Sequence, residues 1–286
     1  IFPPIPTTFD PAGHVDARAI TANVMRWMAT GLAGVLALGS NGEAPLLDEA
    51  ESDRVLAAAR EAVPSGKLLI AGTGRESTRA TIDACRRAGA LGAEAVLVRP
   101  PSYYKTQMTA DALIEHFRRV ADASPVPVLL YNLPATGVIL TLPVVATLAD
   151  HPNIVGLKET SPELERLGQF TAIGGGFAVF SGWAPVIYPA VTLGAAGGIL
   201  AVANVLPDRC VELYEHAGAG RHTEALALQR AITPLAQLVS SIHGIAGLKA
   251  ALDLLGFHGG PTRPPIPPVS GRAREDIARA LAAFTR

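Results

Sequence analysis

Eight short, continuously apolar runs, separated by amphipathic segments along 286 residues, predict an α/β fold. The fold class is a (β/α)8 TIM barrel with a C-terminal helical extension. Three observations lead there. The runs are apolar throughout rather than alternating, as parallel strands covered on both faces should be. The segments between them carry the 3.6-residue periodicity of helices packed on a sheet. Eight such units then fit into about 220 residues, the usual span of a closed barrel.

Taken in order, the predicted strands are Phe2–Pro6, Gly34–Leu38, Leu68–Ala71, Ala95–Val98, Val126–Tyr131, Ile154–Lys158, Phe177–Ser181 and Gly198–Val202. In Thr109–Ala123, Leu113, Phe117 and Val120 recur at i, i+4 and i+7, with polar residues on the other face. Asp48 followed by Glu51 forms a variant capping box before the helix carrying Val55, Ala59 and Val63. Gly31, Gly92 and Gly194 fall where helices should hand over to strands. Residues 1–220 make the barrel. Residues 221–286 make a helical extension packed on it, with helices His222–Ser240, Ile245–Leu255 and Gly271–Phe284 and an extended Pro261–Pro268 linker. A doubly wound open sheet is the other reading, but Gly72-Thr73-Gly74 lacks the last glycine of a dinucleotide fingerprint.

Composition excludes several classes. A net charge of −1 offers no basic surface for nucleic acid or a membrane. No apolar run approaches the roughly 18 residues of a membrane span. Ile-Phe-Pro-Pro-Ile-Pro has neither the basic start nor the small-residue cleavage site of a signal peptide. Cys85 and Cys210 stand in separate helical patterns without metal-ligand spacing. The expectation is a cytoplasmic, reduced protein needing neither metal nor organic cofactor.

The chemistry centres on Ile154-Val155-Gly156-Leu157-Lys158, an apolar strand that ends in an amine. The chain has four lysines against twenty arginines. Lys67 precedes a strand, Lys105 sits in a polar loop and Lys249 lies in a late helix, so Lys158 is the one placed for use. Burial disfavours the ammonium form of an amine. A neutral lysine attacks a ketone, and the resulting imine is an electron sink for the adjacent carbon–carbon bond. Barrel active sites collect at strand C-terminal ends. Those ends carry Gly39-Ser40-Asn41-Gly42-Glu43, Tyr103-Tyr104, Tyr131-Asn132-Leu133-Pro134, Lys158-Glu159-Thr160 and Ser181-Gly182-Trp183. Tyr131 is a proton carrier one strand away. The glycines of the Gly39–Gly42 turn let successive N–H groups hold a carboxylate, with Ser40 and Asn41 adding side-chain bonds. The implied ligand is a 2-oxo acid. Singly, each feature has a plainer reading: a solvated lysine, an ordinary turn, a core tyrosine, and carboxylates (Glu43, Glu159) that orient neighbours. Their convergence on one rim favours the catalytic one.

On three ordered motifs, Gly39-Ser40-Asn41-Gly42-Glu43, Tyr131-Asn132-Leu133-Pro134 and Gly156-Leu157-Lys158-Glu159, the chain resembles the dihydrodipicolinate synthase/N-acetylneuraminate lyase family. The resemblance runs from Pro3 through the tail. It implies Lys158 as the imine former, Tyr131 as the proton-transfer tyrosine, Ser40 as the relay hydroxyl, and Tyr104 as the tyrosine a neighbouring subunit inserts. It further implies Ser40 and Asn41 as the carboxylate-binding pair, Thr160, Gly182 and Ile199 around the pyruvate pocket, and a homotetramer built from dimers. Synthases of this family usually place an arginine shortly after Y-N-x-P; here Leu133-Pro134-Ala135-Thr136-Gly137 has none. Asn41, Glu76-Ser77-Thr78, Pro152–Gly156 and Gly259-Gly260-Pro261 look most like the 4-hydroxy-2-oxoglutarate aldolases. The expected activity is cleavage of a 4-hydroxy-2-oxo acid to pyruvate and an aldehyde, glyoxylate in that case. Synthase-type condensation and a non-catalytic 2-oxo-acid-binding barrel are the alternatives.

Overall fold

The apolar runs condense into one parallel sheet whose spatial order repeats the sequence order. In the computed structural model, which describes residues 1–284, its strands are β1 Gly34–Ala37, β2 Leu68–Gly72, β3 Ala95–Val98, β4 Val128–Asn132, β5 Ile154–Glu159, β6 Ala178–Ser181 and β7 Gly197–Gly198. Helix α1 Ala17–Met28 precedes β1, helices α2 Glu49–Ala62, α3 Thr78–Ala90, α4 Ala110–Ala123, α5 Leu142–Ala149, α6 Leu164–Thr171 and α7 Ile187–Thr192 cross between the strands in order, and α8 Pro207–Gly218 follows β7. Three more come last: α9 His222–Gln237, α10 Gly244–Leu254 and α11 Gly271–Ala282.

The first expected strand is not a regular one. Pro3, Pro4 and Pro6 have no N–H to give a ladder. The segment instead bridges the sheet edges at single points, Phe2 beside Ile199 and Pro4 beside Leu36, both parallel. The hydrogen bonds run Phe2 N–H to Gly198 O at 2.9 Å, Leu200 N–H to Phe2 O at 3.0 Å and Ile5 N–H to Leu36 O at 2.8 Å. The curled sheet is thereby shut, and every strand's C-terminal end points to the same rim. The eighth run also differs: after β7 the chain winds into a short 3-10 turn, Ala201–Asn204, rather than extending to Val202.

Two apolar layers result. The larger lies between strands and helices; a smaller one, with Phe2, Leu36, Ile70, Leu97, Leu129 and Ile199, fills the barrel interior around Tyr131. Asp48 and Glu51 form the expected capping box on α2. Gly92 and Gly194 adopt left-handed φ of 84° and 97° at helix exits, whereas Gly31 does not. The helix expected over His222–Ser240 stops at Gln237 and passes into a π-helical turn, Leu238–Ile242.

On α4, the apolar face carries a buried histidine, His116, whose Nδ1 lies 2.9 Å from the Thr78 hydroxyl. Burial pushes its imidazole down to about 4. The unfolded chain therefore takes up a proton near pH 6.5 while the folded chain refuses it until about pH 4. Stability from this residue is complete above pH 6.5 and falls by roughly 3 kcal/mol as the pH drops to 4. Urea unfolding across that window should show the loss, and His116→Gln should flatten it; an unchanged slope would reject the assignment.

Candidate active site

The register of the two central strands builds the site. Tyr131 on β4 pairs with Lys158 on β5, and Asn132 pairs with Glu159 one step on. Both key side chains are buried, Lys158 at 5% and Tyr131 at 6% exposure. The amine lies 4.6 Å from the centre of the Tyr131 ring. The Tyr131 hydroxyl is 3.3 Å from Ser40 Oγ, reaching across from β4 to the turn after β1. Amine, phenol and serine hydroxyl thus form one connected set.

They open on a cavity of about 230 Å³, lined also by Asn41, Thr160, Gly182 and Ile199. Thr160 presents a buried hydroxyl with no hydrogen-bond partner among the described residues, which an incoming polar group can satisfy. Gly182 is small for a reason. A Cβ there would lie 2.1 Å from Thr160 Oγ1 and 2.9 Å from Lys158 Cε, inside the space both need. Ser40 and Tyr131 also edge a second cavity, of about 410 Å³, toward Arg75, Glu76 and Arg99; the smaller one holds the amine.

Beside the cavity, Asn132 and Glu159 are buried against each other. Asn132 Nδ2 donates to Glu159 Oε2 at 2.6 Å, while its Oδ1 accepts from Leu140 N–H at 2.9 Å, closing the loop after β4. Burial raises the Glu159 carboxyl above the usual carboxylate range, against hydrogen bonds from Ser161 and Asn132. Both carboxylates that the plainer sequence reading gave to orientation, Glu43 and Glu159, are buried and away from the cavity lining.

The Gly39–Gly42 turn, where the glycines were expected to let the backbone turn tightly, starts from an extended Gly39 (φ −79°, ψ −171°). The left-handed residues are Leu38 (φ 57°) and Glu43 (φ 53°), which bracket the turn. Tyr104 stands apart from the cavity, 69% exposed, edge-to-face with Tyr103 at 5.0 Å. The sequence reading missed Leu133, Ala184, Ser240 and Ser241, which also line the cavity, and assigned no role to Trp183, which does so too. Trp183 could have been found from its place after Gly182. Ser240 and Ser241 arrive on the π-helical turn, which no local pattern announces.

Among the described residues no cluster of histidine, cysteine and carboxylate suits a metal, and no helix is long and apolar enough to cross a membrane. Closed parallel sheet, rim-facing lysine and adjoining tyrosine define a class of lysine-centred α/β lyases. Comparison with known proteins then fixes the family. The model of the dihydrodipicolinate synthetase family matches residues 1–284, and the chain belongs to that family. A relative in Emericella nidulans, named a probable mitochondrial 4-hydroxy-2-oxoglutarate aldolase, is 37% identical, over 96% of this chain and 91% of its own. A 4-hydroxy-tetrahydrodipicolinate synthase from an Exiguobacterium species is 35% identical, over 97% and 95%. Among solved structures, a prophage protein of the dihydrodipicolinic acid synthase family from E. coli K12, in complex with pyruvate, superposes with a TM-score of 0.92 at 28% identity, covering 99% of this chain and 97% of that one. Family membership makes this chain an enzyme, a class I pyruvate-handling aldolase or lyase, and sets aside the non-catalytic alternative.

Gly182→Ala should fold yet push Lys158 and Thr160 out of place. A displacement of about 1 Å at a reacting group costs on the order of a hundredfold in rate. Turnover and thermal unfolding measured together check this: full activity in the folded variant would show that Gly182 has no steric role.

Proposed function

We propose that this enzyme cleaves a 4-hydroxy-2-oxo acid to pyruvate and an aldehyde through a Schiff base on Lys158, with 4-hydroxy-2-oxoglutarate as substrate and glyoxylate as the second product. The observation that carries the reading is the buried Lys158 amine set against Tyr131, whose hydroxyl meets Ser40. Lys158 attacks the C2 ketone. Tyr131 hands a proton to the carbinolamine oxygen, water leaves, and the iminium forms. The Tyr131 oxygen then takes the proton of the 4-hydroxyl, the C3–C4 bond breaks, and its electron pair flows into the iminium as an enamine. Protonation at C3 and hydrolysis release pyruvate. Ser40 and Asn41 hold the C1 carboxylate, and Thr160, Gly182 and Ile199 shape the pyruvate half. No metal or organic cofactor enters.

The substrate choice draws support from the 37%-identical aldolase relative and from the Leu133–Gly137 loop without arginine. Condensation of pyruvate with an aldehyde uses the same imine and has the 35%-identical synthase in its favour. We further propose a catalytic barrel over residues 1–220 with a helical extension over 221–286, a cytoplasmic location (the 37%-identical relative is named mitochondrial), and a homotetramer in which Tyr104 completes a neighbour's proton relay. The exposed Tyr103–Tyr104 pair supports the last point.

Incubation with pyruvate and borohydride should leave a reduced adduct on Lys158, located by mass spectrometry. No adduct would sink the mechanism. An adduct without cleavage of 4-hydroxy-2-oxoglutarate would leave the mechanism and reject the substrate. Tyr131→Phe should lower turnover by about 10²–10⁴-fold with the fold intact. Tyr104→Phe should slow turnover in a protein that sediments as a tetramer; unchanged turnover, or a monomer that is fully active, would reject the shared relay.

A further inference from the structure

Among the described residues only two non-glycine positions have positive φ, Leu38 at 57° and Glu43 at 53°, and they bracket the turn that carries Ser40 and Asn41. Left-handed backbone is costly for a side-chain-bearing residue, so each bend must be held by its surroundings. At Leu38 the hold is steric and comes from the neighbouring strand. Its carbonyl packs against Gly72 on β2 so closely that a Cβ there would lie 2.0 Å from the oxygen.

Glu43 is held differently. Its carboxylate is fully buried and meets Lys249 of α10 at 2.6 Å, while Oε2 accepts from Arg263 N–H at 2.8 Å. Lys249 also donates to Pro261 O at 2.7 Å and lies 4.5 Å from the Phe9 ring, whose centre is 4.2 Å from the Arg263 guanidinium. Arg263 in turn pairs with Glu51, in the first turn of α2. Burial lowers the Lys249 ammonium pKa, against the pull of Glu43. A buried ion pair is weak evidence for stability in itself, since well-packed apolar residues often do as well. This one joins residues 206 apart in sequence, at the base of the turn that edges the cavity.

We propose that Glu43 is a positioning residue: anchored by Lys249 and the Arg263 amide, it holds the left-handed bend that sets Ser40 and Asn41 at the cavity. Glu43 touches no ligand; it acts through the backbone of the turn. The inference rests on the reading of Ser40 and Asn41 as the carboxylate-binding pair.

The test compares two double variants, Glu43→Ala/Lys249→Met and Glu43→Gly/Lys249→Met. Both remove the ion pair without stranding a buried charge, and they differ by one methyl group. Glycine adopts the left-handed bend freely and alanine does not. The readout is pyruvate-dependent inactivation by borohydride, as half-saturating pyruvate and limiting rate, alongside the thermal midpoint. The alanine pair should need about tenfold more pyruvate with a limiting rate within about threefold of the parent, and the glycine pair should return to within about threefold of the parent's half-saturation. Equal values in the two pairs overturn the proposal. If both are raised, the carboxylate matters in some way other than the bend; if both match the parent, the ion pair only stabilises. Should the alanine pair fail to fold, Glu43→Ser/Lys249→Met, which is likewise too short to reach the Arg263 amide and disfavours the left-handed bend, replaces it against the glycine pair, with the same outcomes. Absence of a Lys158 adduct in the parent would reject the imine reading itself, a result separable from indifference between the pairs.

Discussion

The pairing of β4 with β5 is the constraint on which the site depends. Side chains alternate across a strand, so a slip of one residue would turn Lys158 or Tyr131 away from the barrel interior. The next rung fixes the register. Asn132 and Glu159 stand opposite each other, both fully buried, joined by a 2.6 Å hydrogen bond. A misregistered pairing would bury a carboxylate and an amide without partners, at a cost of several kcal/mol. The polar pair specifies alignment where an apolar pair would tolerate slippage, and the same Asn132 closes the loop to Leu140.

Two buried lysines in this protein are treated in opposite ways. Lys249 has a carboxylate at 2.6 Å and a carbonyl at 2.7 Å. Lys158, among the described residues, has no carboxylate within ion-pair distance and faces an aromatic ring and a cavity. An amine so placed has no structural partner to satisfy it, and the neighbouring groups are those that imine chemistry uses. The contrast separates a lysine engaged by the fold from one left open to the cavity.

Small residues serve this arrangement by what they leave empty. Gly156 lets β5 approach β6, where a Cβ would meet the Ala178 carbonyl at 2.2 Å, and Gly182 leaves room for Lys158 and Thr160. The glycines flanking Ser40 and Asn41 do not supply the turn's left-handed bends; Leu38 and Glu43 do. Segments distant in sequence pack against both bends, Gly72 at Leu38 and Lys249 at Glu43, where local preference disfavours them.

Local pattern was enough for the class of fold, because period and run length record which faces are buried; six of the eight runs became strands where expected, and the eighth meets its strand only at Gly198. The same pattern put Lys158, Tyr131, Ser40, Asn41, Thr160 and Gly182 at strand ends, and a closed parallel sheet brings such ends to one rim; Ile199 came only from the family resemblance. The irregular first strand was legible in principle, since Pro3, Pro4 and Pro6 cannot donate. Lys249 was not: an isolated lysine in a helical stretch carries no mark of a partner two hundred residues earlier. Nor were Ser240 and Ser241, which reach the cavity on a turn that departs from helical period. The sequence alone determined the fold class and the strand-end places of Lys158 and Tyr131, the proposed nucleophile and proton carrier, because these depend on residue type and place along a strand. Tertiary structure decided how the Ser40–Asn41 turn is held and what lines the far side of the cavity, because both depend on contacts between segments that share no local pattern.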